Sequence, residues 1–144
     1  LNLTIKTLQD EKDLKNLLEF ISKQEQYYPN FKDWVFGKLQ NRLENTSYKS
    51  LIAVENKAIL GCLVYSDVED ITYIKNFRID TFYQNRSLGT FLLNQIVGKN
   101  SIITDITTTN FKAVEFFIKQ GFKIASMEEL YLKGQQEYII KKSL

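Results

Sequence analysis

Phe77-Arg78-Ile79-Asp80-Thr81-Phe82-Tyr83-Gln84-Asn85-Arg86-Ser87-Leu88-Gly89-Thr90 is the stretch on which the fold turns. It closes a β-rich run that begins at Ile71 and breaks into polar residues from Gln84. An apolar periodicity then resumes at Leu88, Leu92 and Ile96. The spacing predicts a strand, a short loop and a helix ending near Gly98. A helix start exposes backbone N–H groups without intrahelical partners and the positive end of the helix dipole, which together bind phosphate. Gly89 removes a Cβ where a phosphate would approach the backbone, and Arg86 adds a mobile positive charge. The same residues also read as an ordinary strand–loop–helix connection, with Ser87 as its cap and Gly89 incidental. Neither G-x-G-x-x-G nor G-x-x-x-x-G-K-[ST] is present, so neither motif is invoked.

On the N-terminal side, Asn2 to Thr7 alternates and predicts a strand. A helix begins at about Asp10, with Leu14, Leu17, Leu18 and Ile21 at the spacing of a buried stripe. Asn30 is placed to N-cap a second helix carrying Phe31, Val35, Leu39 and Leu43 on one face, with Trp34 beside them. Leu51 to Val54, a turn at Glu55-Asn56-Lys57, and Ile59 to Tyr65 form a hairpin; Asp67, Glu69 and Asp70 then lead into the strand Ile71 to Ile79. Beyond the central stretch come a strand at Ser101 to Thr107, a helix at Phe111 to Gln120 with Gly121 as its C′ residue, and strands at Phe122 to Leu132 and Glu137 to Lys142. The order β-α-α-β-β-β-α-β-α-β-β is that of an α+β layer fold around a mixed sheet. No Pro/Gly/Ser-rich linker or internal repeat divides residues 1–144, which are expected to form one domain.

Composition narrows the chemistry. The 144 residues include no histidine and one cysteine, Cys62. A Cys/His zinc site is excluded, as are Ser-His-Asp and Cys-His nucleophiles within the chain. A lone thiol forms no internal disulfide, so a reducing, cytoplasmic setting is expected. Cys62 itself, inside an apolar strand, reads as a small buried hydrophobe. No apolar run approaches the roughly 18 residues of a membrane span. A net charge of +2, spread along the chain, favours no nucleic-acid partner. The chain opens on Leu1 rather than Met, leaving room for an upstream piece.

About 20 residues after the central stretch comes Asn110-Phe111-Lys112-Ala113-Val114-Glu115-Phe116-Phe117-Ile118-Lys119-Gln120-Gly121-Phe122. Together the two segments resemble the GNAT superfamily of N-acetyltransferases. Its acetyl-CoA loop, [QR]-x-x-G-x-[GA], stands here as Gln84-x-x-Ser87-x-Gly89. Its later helix, N-x-x-[AS]-x-x-[FLY]-Y-x-x-x-G-F, reads Asn110, Ala113, Phe116, Phe117, Gly121, Phe122. The element order also matches, so the resemblance covers nearly the whole chain. It implies the GNAT fold, a mixed, mostly antiparallel sheet with helices on both faces, and acetyl-CoA as co-substrate without a metal. Two positions depart from the pattern: Ser87 replaces the first loop glycine, and Phe117 stands where many members carry the tyrosine that protonates the departing thiolate.

By this resemblance, the backbone of Phe77, Arg78 and Ile79 pairs with the pantetheine arm, and an N–H there polarises the thioester carbonyl. Gln84, Asn85, Arg86, Ser87, Leu88, Gly89 and Thr90 hold the pyrophosphate. Asn110 reaches the pantetheine, and Phe116 and Phe117 line its channel. Lys112 and Lys119 are candidates for the 3′-phosphate, with a solvated helix face as the more common arrangement. The reaction implied is direct attack of a primary amine on the thioester. An ammonium with pKa near 10.4 must first lose a proton, so a base is useful. Tyr73 stands where some relatives carry a general-base glutamate, and Glu69 and Asp70 are placed to act through a water; Glu129 and Tyr131 carry no distinguishing signal. As structural alternatives, Tyr73 is a half-buried strand aromatic and Glu69 a solvated turn residue. Tyr27, Tyr28 and Trp34 lie near the helices that frame the acceptor pocket in the superfamily, with core packing as the competing role. The acceptor implied is a small-molecule or peptide amine, and a homodimer is compatible with the sequence. A catalytically silent acyl-CoA-binding or interaction module with the same fold is the rival reading, favoured by Phe117.

Overall fold

The computed structural model describes residues 3–24, 28–84 and 86–144. Seven strands lie in the order β1-β2-β3-β4-β5-β7-β6. They are β1 (Thr4–Lys6), β2 (Lys49–Glu55), β3 (Ala58–Val68), β4 (Ile71–Ile79), β5 (Ser101–Thr107), β6 (Lys123–Glu128) and β7 (Glu137–Ser143). The mixed, mostly antiparallel sheet and its helices agree with the fold expected from the sequence. The chain groups into two compact units: residues 1–66 with 75–97, and residues 67–74 with 98–144.

In the first unit, α1 (Glu11–Ser22) starts where Asp10 accepts a hydrogen bond from the Asp13 N–H at 2.8 Å. The next helical segment is continuous but not uniform: α2 (Phe31–Trp34), a π turn (Val35–Leu39) and α3 (Gln40–Glu44). Asn30 stands at its start in the left-handed region, φ 57°, and makes no side-chain cap, contrary to the expectation above. Leu17, Leu18, Ile21, Val35, Leu39 and Leu43 pack on one face of the strands against Ile52, Cys62 and Val64. Trp34 belongs to this core and sits 5.6 Å from Phe31, ring to ring. The hairpin turn uses Asn56 and Lys57, both left-handed, which matches the twist of the flanking strands.

The opposite face is built by α4 (Leu88–Leu93), whose Leu88 and Leu92 pack with Ala53 and Leu60 and with the partly buried Phe77, Ile79 and Tyr83. A bulge makes this possible. Ala53 pairs with Gly61 but Val54 with Ile59, so Leu60 is the extra residue and turns toward α4. Helix α4 stops at Leu93, earlier than the expected Gly98. The N–H groups of Gln95 and Ile96 bond three residues back, to Leu92 and Leu93, and tighten the chain off the helical path. Ile96 stays buried despite this.

In the second unit, the head of β4 pairs in parallel with β5, Ile71 to Tyr73 against Ser101 to Ile103. At the next position a side chain takes over: the Thr104 hydroxyl donates to the Ile74 carbonyl at 3.4 Å. Strands β5 and β7 pair along Ser101–Thr107, and β6 lies outside β7 with every residue exposed. Strand β6 ends at Glu128, short of the expected Leu132. Tyr131 beyond it is held by its hydroxyl, which donates to Asp105 at 2.6 Å. Helix α5 (Phe111–Lys119) closes at Gly121, whose φ of 94° is the left-handed C′ geometry expected of it.

Candidate functional site

In the first unit the site candidates form one continuous segment, the tail of β4 and the start of α4. The Asp80 N–H donates to the Leu60 carbonyl at 2.8 Å, and the Arg78 N–H is turned to the Cys62 thiol, so both point at β3. Alternation along a strand then turns the N–H and C=O groups of Phe77 and Ile79 to the other edge. Both carbonyls are occupied there. Gln24 donates to the Phe77 carbonyl at 3.4 Å, and Gln84 donates to the Ile79 carbonyl at 3.1 Å. The motif residue Gln84 thus ties the loop to its own strand.

A short 3-10 turn, Thr81–Tyr83, carries the chain off the strand, capped by the Asp80 carboxylate on the Phe82 N–H at 3.0 Å. Phe82 is exposed and supports the Arg86 guanidinium over its ring at 4.7 Å, with Tyr83 edge-on at 5.1 Å. Ser87 is left-handed, φ 66°, and its hydroxyl does not cap the helix, which removes the capping reading. Within α4 the ladder begins with the Phe91 N–H on the Ser87 carbonyl at 2.9 Å, so the N–H groups of Leu88 and Gly89 precede it. Gly89 and Leu88 are buried and Thr90 half-buried; Asn85 lies outside the described residues.

Gly61 is the residue that sequence reasoning missed. A Cβ there would stand 2.8 Å from Ile79 Cδ1, 3.2 Å from the Arg78 carbonyl oxygen and 3.3 Å from Leu92 Cδ1. The available signal was a glycine inside a strand, which often marks close approach of another backbone. Burial pushes the Cys62 thiol up to about 12, so it remains a protonated core residue with no nucleophilic role.

In the second unit, Asn110 starts α5 and its Oδ1 accepts from the Ala113 N–H at 3.3 Å. The cap commits the oxygen and leaves the amide NH2 as the group to offer a ligand. Phe117 is 5% exposed and wedged edge-on between Phe116 and Phe122, at 5.2 and 5.1 Å. Phe116 is half-buried. Lys119 pairs with Glu115 at 2.8 Å on the exposed face of α5, and this pairing holds the Glu115 carboxyl below its usual range. Tyr73 is half-buried on β4 opposite Ile103, whereas Glu69 is exposed in the β3–β4 turn at φ 53°. The Lys99 ammonium donates to the Glu69 carbonyl at 3.2 Å. Tyr28 is half-buried, and Tyr27 lies outside the described residues.

The sequence profile of the acetyltransferase (GNAT) family matches residues 10–122, most of the chain. The chain belongs to that family. This GNAT protein matches no curated protein in sequence. Its fold is shared with a GNAT-family protein from Desulfovibrio desulfuricans (15% identity, 98% of each chain, TM-score 0.83). It is also shared with the PaiA N-acetyltransferase from Thermoplasma acidophilum in complex with coenzyme A (17% identity, 100% of each chain, TM-score 0.81). A third is the ribosomal-protein-S18-alanine N-acetyltransferase from Escherichia coli (17% identity, 98% of this chain and 93% of that one, TM-score 0.76). Among the described residues of the GNAT chain, no cluster of three metal-ligating side chains occurs, and no helix is long and apolar enough to cross a membrane.

Proposed function

We propose that this protein is an acetyl-CoA-dependent N-acetyltransferase that passes the acetyl group directly to a primary amine. The observation that carries the reading is the β4–α4 segment. There, two carbonyls are neutralised by Gln24 and Gln84 while the alternating N–H groups of Phe77 and Ile79 share their edge. An edge of that kind suits an extended ligand that brings acceptor oxygens. Coenzyme A also fits the helix start: the N–H groups of Leu88 and Gly89 ahead of the helical ladder suit its pyrophosphate. Arg86, and Asn85 next to it in the chain, are assigned to the same group. By their match to the family's later motif, Asn110, Phe116 and Phe117 are assigned to the same ligand, with the Asn110 NH2 as the group left over from its cap. A PaiA structure of the same fold was solved with coenzyme A, which supports this ligand class.

Acetyl-CoA supplies the activated thioester. The amine lone pair forms the N–C bond, a β4 N–H donates to the developing oxyanion, and the C–S bond breaks to release thiolate. The amine proton leaves to solvent or a base, and the thiolate takes one from solvent, because Phe117 has no hydroxyl to donate. A thiolate with pKa near 8.5 leaves readily enough for this route. We assign proton handling to Tyr73 rather than Glu69, whose turn is exposed and held at Lys99. The family's breadth leaves small-molecule and peptide amines as acceptors, and the protein acts in the cytoplasm.

Calorimetry with acetyl-CoA and thiol release with a panel of amines test the proposal. Heat of binding and amine-dependent thiol release are expected; absence of heat at high micromolar acetyl-CoA overturns it. Binding without turnover across the panel selects the second reading, a silent acyl-CoA-binding module, for which buried Phe117 is the specific observation.

A further inference from the structure

Two buried polar atoms on the tail of β4 have no hydrogen-bond partner: Nη1 of Arg78, a donor, and Oδ1 of Asn76, an acceptor. Both side chains face α1 and its last turn. The Arg78 guanidinium stacks on Phe20 at 4.7 Å, and the Asn76 amide donates to Gln24 Oε1 at 3.1 Å. Asn76 and Arg78 are two strand residues, about 6.6 Å, apart on one face, and Phe20 within α1 and Gln24 just past its end at Ser22 meet Arg78 and Asn76 respectively.

The network also fixes which way Asn76 points. Gln24 Nε2 donates to the Phe77 carbonyl, so its Oε1 must face Asn76 and Asn76 must donate to it. Asn76 Oδ1 is thereby aimed away, still needing an N–H. Arg78 has the converse need. Asp80, whose charge acts on the guanidinium, accepts from the Phe82 N–H with Oδ1. A guanidinium Nη1 without an acceptor and an amide oxygen without a donor among the described residues are costly as pure structure. They are what a small ligand bearing one anion and one amine requires.

We propose that Asn76 and Arg78 recognise the acyl acceptor, and that this acceptor is a small amino-carboxylate, with a free carboxylate a few bonds from its primary amine. The inference rests on the acetyltransferase reading above. The Arg78 guanidinium turns from Phe20 onto the carboxylate, which its planar fork matches. Asn76 Oδ1 accepts one N–H of the amine and leaves the nitrogen lone pair free. Both residues flank Phe77 and Ile79, whose N–H edge is assigned to the thioester, so recognition and reaction share one stretch of strand.

The test compares alanine with alaninamide as acceptors for acetyl-CoA, with each rate expressed per unprotonated amine because the amide also lowers the amine's basicity. The wild-type protein is expected to favour alanine about 10- to 100-fold in kcat/KM, mainly through KM, as for a charge-assisted hydrogen bond. In Arg78→Gln that ratio falls toward one, and Arg78→Lys restores part of it. A wild-type ratio near one, or a preference that survives in Arg78→Gln, overturns the inference while leaving acetyl transfer standing. Failure of acetyl-CoA to bind strikes the proposed function instead. In that case binding of N-acetylalanine against N-acetylalaninamide, read by saturation-transfer NMR, still decides the acceptor proposal: equal binding overturns it. If Arg78→Gln does not fold, the wild-type comparison and Arg78→Lys decide the same question.

Discussion

The two helix starts at Ser87 and Asn110 share the same local plan, a strand leading through a short turn into a helix, yet they are finished differently. Asn110 turns its side-chain oxygen onto the Ala113 N–H and closes the first turn of α5. Ser87 takes a left-handed backbone and leaves the first N–H groups of α4 uncapped by its hydroxyl. A cap stabilises the helix and removes a donor from circulation. A strained, uncapped start does the reverse. The contrast accounts for the family's preference for glycine at the position of Ser87: φ 66° is free of steric cost only without a Cβ. The first N–H groups of α4 thus precede its ladder without a serine cap, whereas at α5 the cap occupies the Asn110 oxygen and leaves its NH2 outside the cap.

The sharpest way to break this contrast is at Gly61, which holds α4 against the tail of β4. Gly61→Val places a side chain against Ile79, the Arg78 carbonyl and Leu92, and should cost about 1–3 kcal/mol as an overpacked site. Denaturant unfolding would read the loss and calorimetry a weakened acetyl-CoA affinity; wild-type stability would show that α4 does not depend on this approach. Next is Asn110→Ala, expected to cost about 1 kcal/mol through the lost cap. Asn110→Asp separates cap from ligand, since the carboxylate still accepts from Ala113 but has no NH2; stability should be retained while acetyl-CoA affinity falls. If affinity were retained too, Asn110 is a cap and nothing more.

Ser87→Gly works in the other direction. Relief of the left-handed strain should stabilise the protein by about 1 kcal/mol and tighten acetyl-CoA binding, seen as a raised unfolding midpoint and a lower Kd. The smallest expected effect is on Cys62. With its thiol pushed up to about 12 by burial, alkylation of the native protein at pH 8 should be negligible and should appear only on unfolding. The labelling rate then reports the first unit, and it should rise in Gly61→Val. Rapid labelling of the wild-type protein would contradict the packing around Cys62.

Much of this architecture is legible in the sequence. The stripe Leu17, Leu18, Ile21 and the β4 limits Ile71 to Ile79 come from periodicity, because burial of one face imposes it on the chain. Gly121 at a left-handed helix end is legible for a similarly local reason. Three expectations failed where a single residue answers to more than its own segment. Asn30 has the chemistry of a cap but a left-handed backbone. Helix α4 ends at Leu93 although the apolar spacing runs on to Ile96, because burial does not require helical hydrogen bonds. Strand β6 ends at Glu128 although β-forming residues continue, since no partner strand extends beyond Glu137 on β7.

By itself the sequence determined the family, the order of elements, and the absence of histidine chemistry, all carried by local pattern or by composition. Only the tertiary structure decided which groups meet across distance. Gln24 reaches the Phe77 carbonyl and Asn76 from more than fifty positions away, and Gly61 makes room for Ile79 and Leu92. The Leu60 bulge reverses a side chain that strict alternation would have sent to the other face. Hydrogen-bond partners and close approaches depend on register between elements, and a chain read one residue at a time contains no record of register.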